Sequence, residues 1–223
     1  MSSGASFVRE GADGTIWVGT RDGALWFDGY RFIRPPGPHY TVNRLLALAD
    51  GDVAFTIDGV LHVGGRDGFT AVDLPFGVFN LVTDESGGLM LLSRTSDLYK
   101  LQDGDVQPLA LPAGVRREDV LHLQSDGETV WLRVADGAFR RQGNDWVREL
   151  QGRELRYLTA GADGRRYGAV ELPIEDRGLW SWEPGGELSR LTGRVSDLIR
   201  VIAGAADGRL LVVQESGTIL WKD

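Results

Sequence analysis

Cysteine is absent from all 223 residues, which excludes a disulfide framework, a thiolate nucleophile and any cysteine-based zinc site. It leaves the compartment open. No apolar run approaches the roughly 18 residues a membrane-spanning helix needs; the longest, such as Leu45 to Ala49 and Leu89 to Leu92, have the length of single strands. No stretch of about 11 residues holds a helical apolar period between its Gly and Pro punctuation, which argues against a parallel β/α fold. Positive charge is also short: 24 Lys and Arg stand against 32 Asp and Glu, a formal net charge of -8. Nucleic acid is therefore not an expected partner, because phosphate binding needs clustered Lys and Arg.

Histidine is scarce. His39, His62 and His122 are the three present, and they lack metal-ligand spacing, so no metal is expected. A P-loop, a dinucleotide glycine fingerprint, a G-x-S-x-G elbow, an H-E-x-x-H pair and a D-x-[DN]-x-[DN]-G calcium loop are all missing. Neither catalytic residues nor a cofactor are expected. Glu171, Glu175 and Asp176 could supply a carboxylate pair for glycosidic chemistry, yet any acidic surface offers such pairs.

What is present is repetition. The stretch Ala12 to Phe27 holds two short apolar strands, each introduced by Asp-Gly, a pair that tolerates the positive φ of a tight turn. Anchored on the second turn residue, the pattern recurs at Gly14, Gly51, Gly88, Gly127, Gly164 and Gly208, at intervals of 37, 37, 39, 37 and 44. After each turn comes a strand that is apolar on both faces, the fifth, Arg165 to Val170, being the weakest. A further strand places an apolar residue two positions after its opening: Leu25, Leu61, Tyr99, Phe139, Trp180 and Ile219. Another strand precedes each anchor, and a fourth follows in five of the units. The expected fold is an all-β propeller of six repeat units of about 40 residues, with four-stranded antiparallel blades and a last blade that is three-stranded or truncated. The whole chain, 1–223, reads as one domain, with units at about 6–34, 44–74, 79–111, 120–151, 155–192 and 198–223. A β-sandwich is the competitor, and a fixed period over six copies favours radial repetition.

Asp13-Gly-Thr-Ile-Trp-Val-Gly-Thr20, followed by Asp22-Gly-Ala-Leu-Trp-Phe-Asp-Gly29, resembles the two-component regulator propeller repeat. The resemblance covers the chain as a period and about 20 residues as a sharp motif. It implies a ligand-sensing module outside the cytoplasm, of the kind joined to histidine kinases, nucleotide cyclase modules or DNA-binding domains. A complete chain without an export signal is instead expected in the cytoplasm. Asp22 to Phe27 also resembles the repeat of streptogramin lyase-type propellers, but there the motif belongs on the strand after the main turn. A lyase or glycosidase is the least favoured function.

In a propeller the inter-blade loops and the loops joining second to third strands share the upper face. Three of these are enlarged: Arg34 to Asn43, Pro112 to Asp119, and an insertion, Glu171 to Arg177, that lengthens the fifth interval. Binding residues concentrate on such loops. Candidate ligand contacts are Arg21, His39, Tyr40, Arg94, Arg116, Arg117, Arg133, Glu171 and Arg177. Arginine offers paired donors to carboxylate or sulfate, while a ring suits a sugar face. The plainer account of the arginines is a solvated rim of mixed charge. The tryptophans at strand positions, Trp17, Trp26, Trp131, Trp180, Trp182 and Trp221, read as core between blades, with Trp146 on an outer strand the exception. The expected partner is a small polar or saccharide-like ligand. A signalling protein or a second copy, docking on the rim or on the open edge Thr218 to Asp223, is the alternative.

Overall fold

The computed structural model describes residues 4–126, 129–191, 198–204, 209–217 and 219–222, the last four through their backbone. The expected anchors Gly127 and Gly208, the edge residues Thr218 and Asp223, and the Trp221 side chain lie outside that description. Compact packing divides the chain between Ala110 and Leu111.

The first unit holds three sheets. The first contains β1 (Ala5–Glu10), β2 (Ile16–Thr20), β3 (Gly23–Phe27) and β4 (Phe32–Ile33). The second contains β5 (Arg44–Ala47), β6 (Val53–Ile57), β7 (Val60–Gly65) and β8 (Gly68–Ala71). The third contains β9 (Val78–Thr83), β10 (Leu89–Ser93), β11 (Leu98–Gln102) and β12 (Asp105–Leu109). In the second unit the fourth sheet is β13 (Val120–Ser125), β14 (Val130–Val134), β15 (Gly137–Gln142) and β16 (Asp145–Gln151). The fifth is β17 (Glu154–Ala160), β18 (Arg166–Leu172), β19 (Gly178–Trp182) and β20 (Ser189–Arg190). The sixth is β21 (Ile199–Gly204), β22 (Leu210–Gln214) and β23 (Ile219–Lys222), so among the described residues it has three strands. Every sheet is an antiparallel meander in sequence order.

The anchor turns form for a local reason. The carboxylates of Asp13, Asp50 and Asp163 each accept the backbone N–H two residues on, closing the turn around a following glycine with φ of +78°, +92° and +79°. In the third sheet the positive-φ residue is Gly87, one position before the expected Gly88, and Asp84 takes over the capping by accepting from Ser86 and Gly88. The Gly-Gly pair disguised the slip. In the fourth sheet Asp126 accepts from the Thr129 N–H and from the indole of Trp131.

Behind each turn the second strand is the spine of its sheet. β6 and β10 are buried along their whole length, which is why they read as unbroken apolar runs. The core forms between neighbouring sheets within each unit. Trp17 and Phe55 both meet Phe69 edge-on, at 6.0 and 4.7 Å between centroids, joining the first and second sheets. Trp131 meets Trp182 at 6.1 Å between the fourth and fifth. Trp17, Trp131, Trp180 and Trp182 are buried, as core residues should be. Trp26 is half-buried, and Trp146 on β16 is half-buried beneath Arg141.

The weak fifth copy is compensated by charge. Arg166 on β18 is buried, and its guanidinium meets the Asp126 carboxylate of the fourth sheet at 2.6 Å, with both side chains almost inaccessible. Its inserted segment is only partly a loop. Glu171 and Leu172 extend β18, and a single 3-10 turn at Ile174–Asp176 completes it.

Candidate functional site

In each unit the inter-sheet loops lie on the turns that join second to third strands. Val42 N–H donates to Thr20 O (2.9 Å), Val78 N–H to Gly59 O (2.8 Å), and Ala135 N–H to Asp119 O (2.9 Å). On the opposite face Arg66, from the β7–β8 turn, reaches the anchor turn at Asp13. The two faces expected of a propeller are therefore separated in the first unit.

The candidates of the first unit form two groups. Arg21, His39 and Tyr40 share one neighbourhood. Thr41 Oγ1 donates to Arg21 O, and a Cβ at Gly23 would fall 2.8 Å from Pro38 O, so the loop through His39 rests on backbone that only glycine leaves room for. His39 Nδ1 lies 2.7 Å from the Arg34 guanidinium, and Tyr40 is exposed. Arg94 stands apart, on the β10–β11 turn. Its backbone N–H donates to Gly77 O, and its side chain crosses Gly59 closely enough that a Cβ there would lie 2.8 Å from Nε.

In the second unit Arg116 is exposed and engaged by its own turn, with Nε donating to Asp119 (2.8 Å) and Glu118 at 3.3 Å. Arg117 is exposed beside it. Arg133, Glu171 and Arg177, by contrast, are brought together, and a residue the sequence did not single out joins them.

That residue is Arg156. The first strand slips register by one residue shortly after entering the sheet at Ser6, Phe79, Leu121, Arg156 and Arg200. In four of these the residue just before the slip, Val78, Val120, Leu155 or Ile199, is buried, and the bulged residue after it is exposed or half-buried. In the fifth sheet a second slip lies directly opposite the first, at Glu171 on β18. The two bulged residues then face each other: Arg156 Nη1 donates to both Glu171 oxygens, at 2.7 and 3.0 Å. Bonding to Tyr157 and Glu171 raises the Arg156 pKa above the ordinary arginine value.

Arg133 lies alongside, on β14, with Nε donating to Leu155 O at 2.6 Å. Among the described residues it makes no ion pair. Burial pulls its pKa down to about 10, and the nearby Glu154, Tyr157 and Glu171 only partly offset that. Arg177 closes the group, its Nε 3.5 Å from Glu171 O. The inserted segment is pinned from outside: Arg153 pairs with Asp176 at 2.7 Å, Trp180 Nε1 donates to Asp176 O, and Arg190 donates to the carbonyls of Glu175 and Arg177. Among the described residues no group of three or more His, Asp or Glu stands close enough to hold a metal ion.

No protein-family model matches the sequence, and no curated protein matches it. Solved structures do match. Virginiamycin B lyase from Staphylococcus aureus, a catalytically inactive variant with quinupristin, superposes with a TM-score of 0.75 at 13% identity over 98% of this chain and 84% of that one. The extracellular domain of a putative hybrid two-component system from B. thetaiotaomicron gives 0.75 at 13% identity over 100% of this chain and 32% of that one. YCF48 bound to a peptide gives 0.68 at 14% identity over 94% and 75%. The fold is a β-propeller. These neighbours include lyases and proteins of other kinds, and the two-component neighbour agrees with the repeat resemblance in the first sheet.

Proposed function

We propose that the chain is a non-catalytic, ligand-binding propeller module that takes a small polar or saccharide-like ligand bearing a carboxylate at the double bulge of the fifth sheet. Arg133, Arg156, Glu171 and Arg177 form the site in this reading, and Tyr157, 5.8 Å beneath the Arg156 guanidinium, offers a ring. The observation that carries it is Arg133, a largely enclosed guanidinium that makes no ion pair among the described residues, with Glu154 and Glu171 only partly offsetting its burial. Desolvating a cation is expensive unless it is paired, and the missing partner is most simply an incoming anion. Glu171 already accepts with both oxygens from Arg156 Nη1, which shows that a carboxylate is accommodated beside these guanidinium groups. Arg21, His39, Tyr40, Arg94, Arg116 and Arg117 stay on the rim in this proposal.

Calorimetric titration with uronic acids, neutral sugars and dicarboxylates tests it. An acid from this panel should bind the wild type, and Arg133→Met should weaken it tenfold or more, because a hydrogen bond to a charged group contributes about 1.5–3 kcal/mol. Arg94→Ala should bind as the wild type does. Equal affinity in Arg133→Met would overturn the assignment.

A protein partner is the second reading, favoured by Leu172 and Ile174. They are 45% and 68% exposed on the pinned insertion, an ordered apolar tip on an otherwise charged segment. Leu172→Ser with Ile174→Ser would abolish such an association and leave acid binding intact.

A further inference from the structure

On the opposite face of the first unit, between the second and third sheets, lies a cavity of about 360 Å³. Its floor is aliphatic, with Leu48 and Val63 on one side and Leu89 and Leu101 on the other, and Asp103 stands on its rim. That volume is in the range of small-molecule pockets, which pair an apolar lining with a few placed polar groups.

The neighbouring pair of sheets shows what chemistry this place accepts. Between the first and second sheets the equivalent position is filled by the protein itself. Arg66 opens the two-residue turn between β7 and β8, its guanidinium lies 4.6 Å over the Trp26 ring, and it bonds to Asp13 (2.9 Å) and to Thr15 Oγ1. Register fixes the counterparts one sheet on. Val63 pairs with Ala54 as Trp26 pairs with Trp17, so Val63 replaces Trp26. Asp103 opens the two-residue turn between β11 and β12, so it replaces Arg66. Asp50 and Asp52 flank Gly51 as Asp13 and Thr15 flank Gly14. A large ring and a cation have thus both been exchanged, for a small aliphatic residue and an acid. Space is left where the ring was, Asp103 is the acid on the cavity rim, and the Lys100 ammonium at the Ser86 wall is held by Asp84 (2.8 Å) and Ser86 Oγ (3.0 Å) instead of by Asp103.

Among the described residues no Lys or Arg pairs with Asp50, Asp52 or Asp103. Burial and the neighbouring Asp50 and Asp67 raise the Asp52 pKa, the signature of a carboxyl facing like charge. We infer that the cavity between the second and third sheets binds a small organic cation with an apolar body, an arylalkyl-ammonium or -guanidinium ion, its ring against Val63 and Leu101 and its charge at Asp103. The ligand restores in trans the ring and guanidinium that Trp26 and Arg66 supply in the neighbouring pair.

The probes are phenethylamine and phenethylguanidine, with phenethyl alcohol as the neutral isostere and phenylacetate as the anion, titrated into the full chain by calorimetry and by chemical-shift perturbation. The cations should bind at least tenfold more tightly than the alcohol, and the anion not at all. Asp103→Asn keeps a residue that tolerates the positive φ of 52° there, and it should remove that preference while leaving alcohol binding unchanged. Val63→Trp refills the space and should abolish binding of every probe. The inference is overturned if no cation binds the folded wild type, if alcohol and amine bind alike, or if Asp103→Asn retains the preference. The acid-binding site of the second unit is unaffected by either variant, so failure here leaves that proposal standing.

Discussion

A guanidinium held between strands, with a single carbonyl as partner, destabilises the fold that contains it. For Arg133 the sign follows from its pKa, depressed to about 10 from the ordinary arginine value. Below pH 10 both folded and unfolded chains are protonated and the desolvation penalty is fully present. From about pH 10 up to the ordinary arginine value the unfolded chain holds more protons, so this group's contribution to stability rises with pH. Arg133→Met should therefore be at least as stable as the wild type at pH 7 in urea unfolding, even as it loses the ligand. A loss above about 1 kcal/mol would mean that the guanidinium is structural. Tyr167 runs the other way. Burial, and then its hydrogen bond to Asp163 at 2.7 Å, push its pKa up to about 12. The unfolded chain ionises first, near 10, so this contribution is complete below pH 10 and is lost as pH climbs toward 12. Spectrophotometric titration should show one tyrosine ionising well above the others, absent in Tyr167→Phe and brought down by Asp163→Asn.

Glycine positions separate two kinds of turn. Gly14 and Gly23 both have positive φ, but a Cβ at Gly14 would meet nothing within 4 Å whereas one at Gly23 would strike Pro38 O at 2.8 Å. Gly14→Ala should lose about 1 kcal/mol through backbone strain alone, and Gly23→Ala clearly more, because the loop carrying His39 must also lift. Matching losses in chemical denaturation would contradict this. Between the fourth and fifth sheets, breaking the buried Arg166–Asp126 pair with Asp126→Asn should cost about 3–5 kcal/mol, since one charge of an almost inaccessible ion pair is removed. These turns were legible in the sequence because Asp-Gly is a local device; the third was misplaced by one residue because Gly87-Gly88 offers two candidates. The site was legible only in part. Arg133, Glu171 and Arg177 stood out through loop length and residue type, but what brings Arg156 onto Glu171 is a pair of opposed bulges. A bulge is a mismatch between two strands and leaves no mark in either one.

Repetition made the fold readable, since a period near 37 residues with four strands in five of the six copies leaves few alternatives to a propeller. Its unevenness was less readable. The apolar second strands announce themselves, while the outermost ones are uneven in length and largely outside the core: β4 and β20 have two residues each and are exposed or half-buried, against full burial along β6 and β10. Stability should follow that gradient within every sheet, because local opening is easiest where few apolar contacts are lost. Native-state hydrogen exchange is expected to be slowest in β6, β10, β14 and β18, and fastest in β4 and β20. Ligand should change the pattern locally. A saturating acid would slow exchange near Arg156 and Glu171 without altering β6 or β10, and an organic cation would slow the turns at Ser86–Gly88 and Gln102–Gly104. Uniform exchange across all strands of a sheet would show that each opens as one unit, and protection spreading through both halves of the chain on binding either ligand would show that the two sites are coupled.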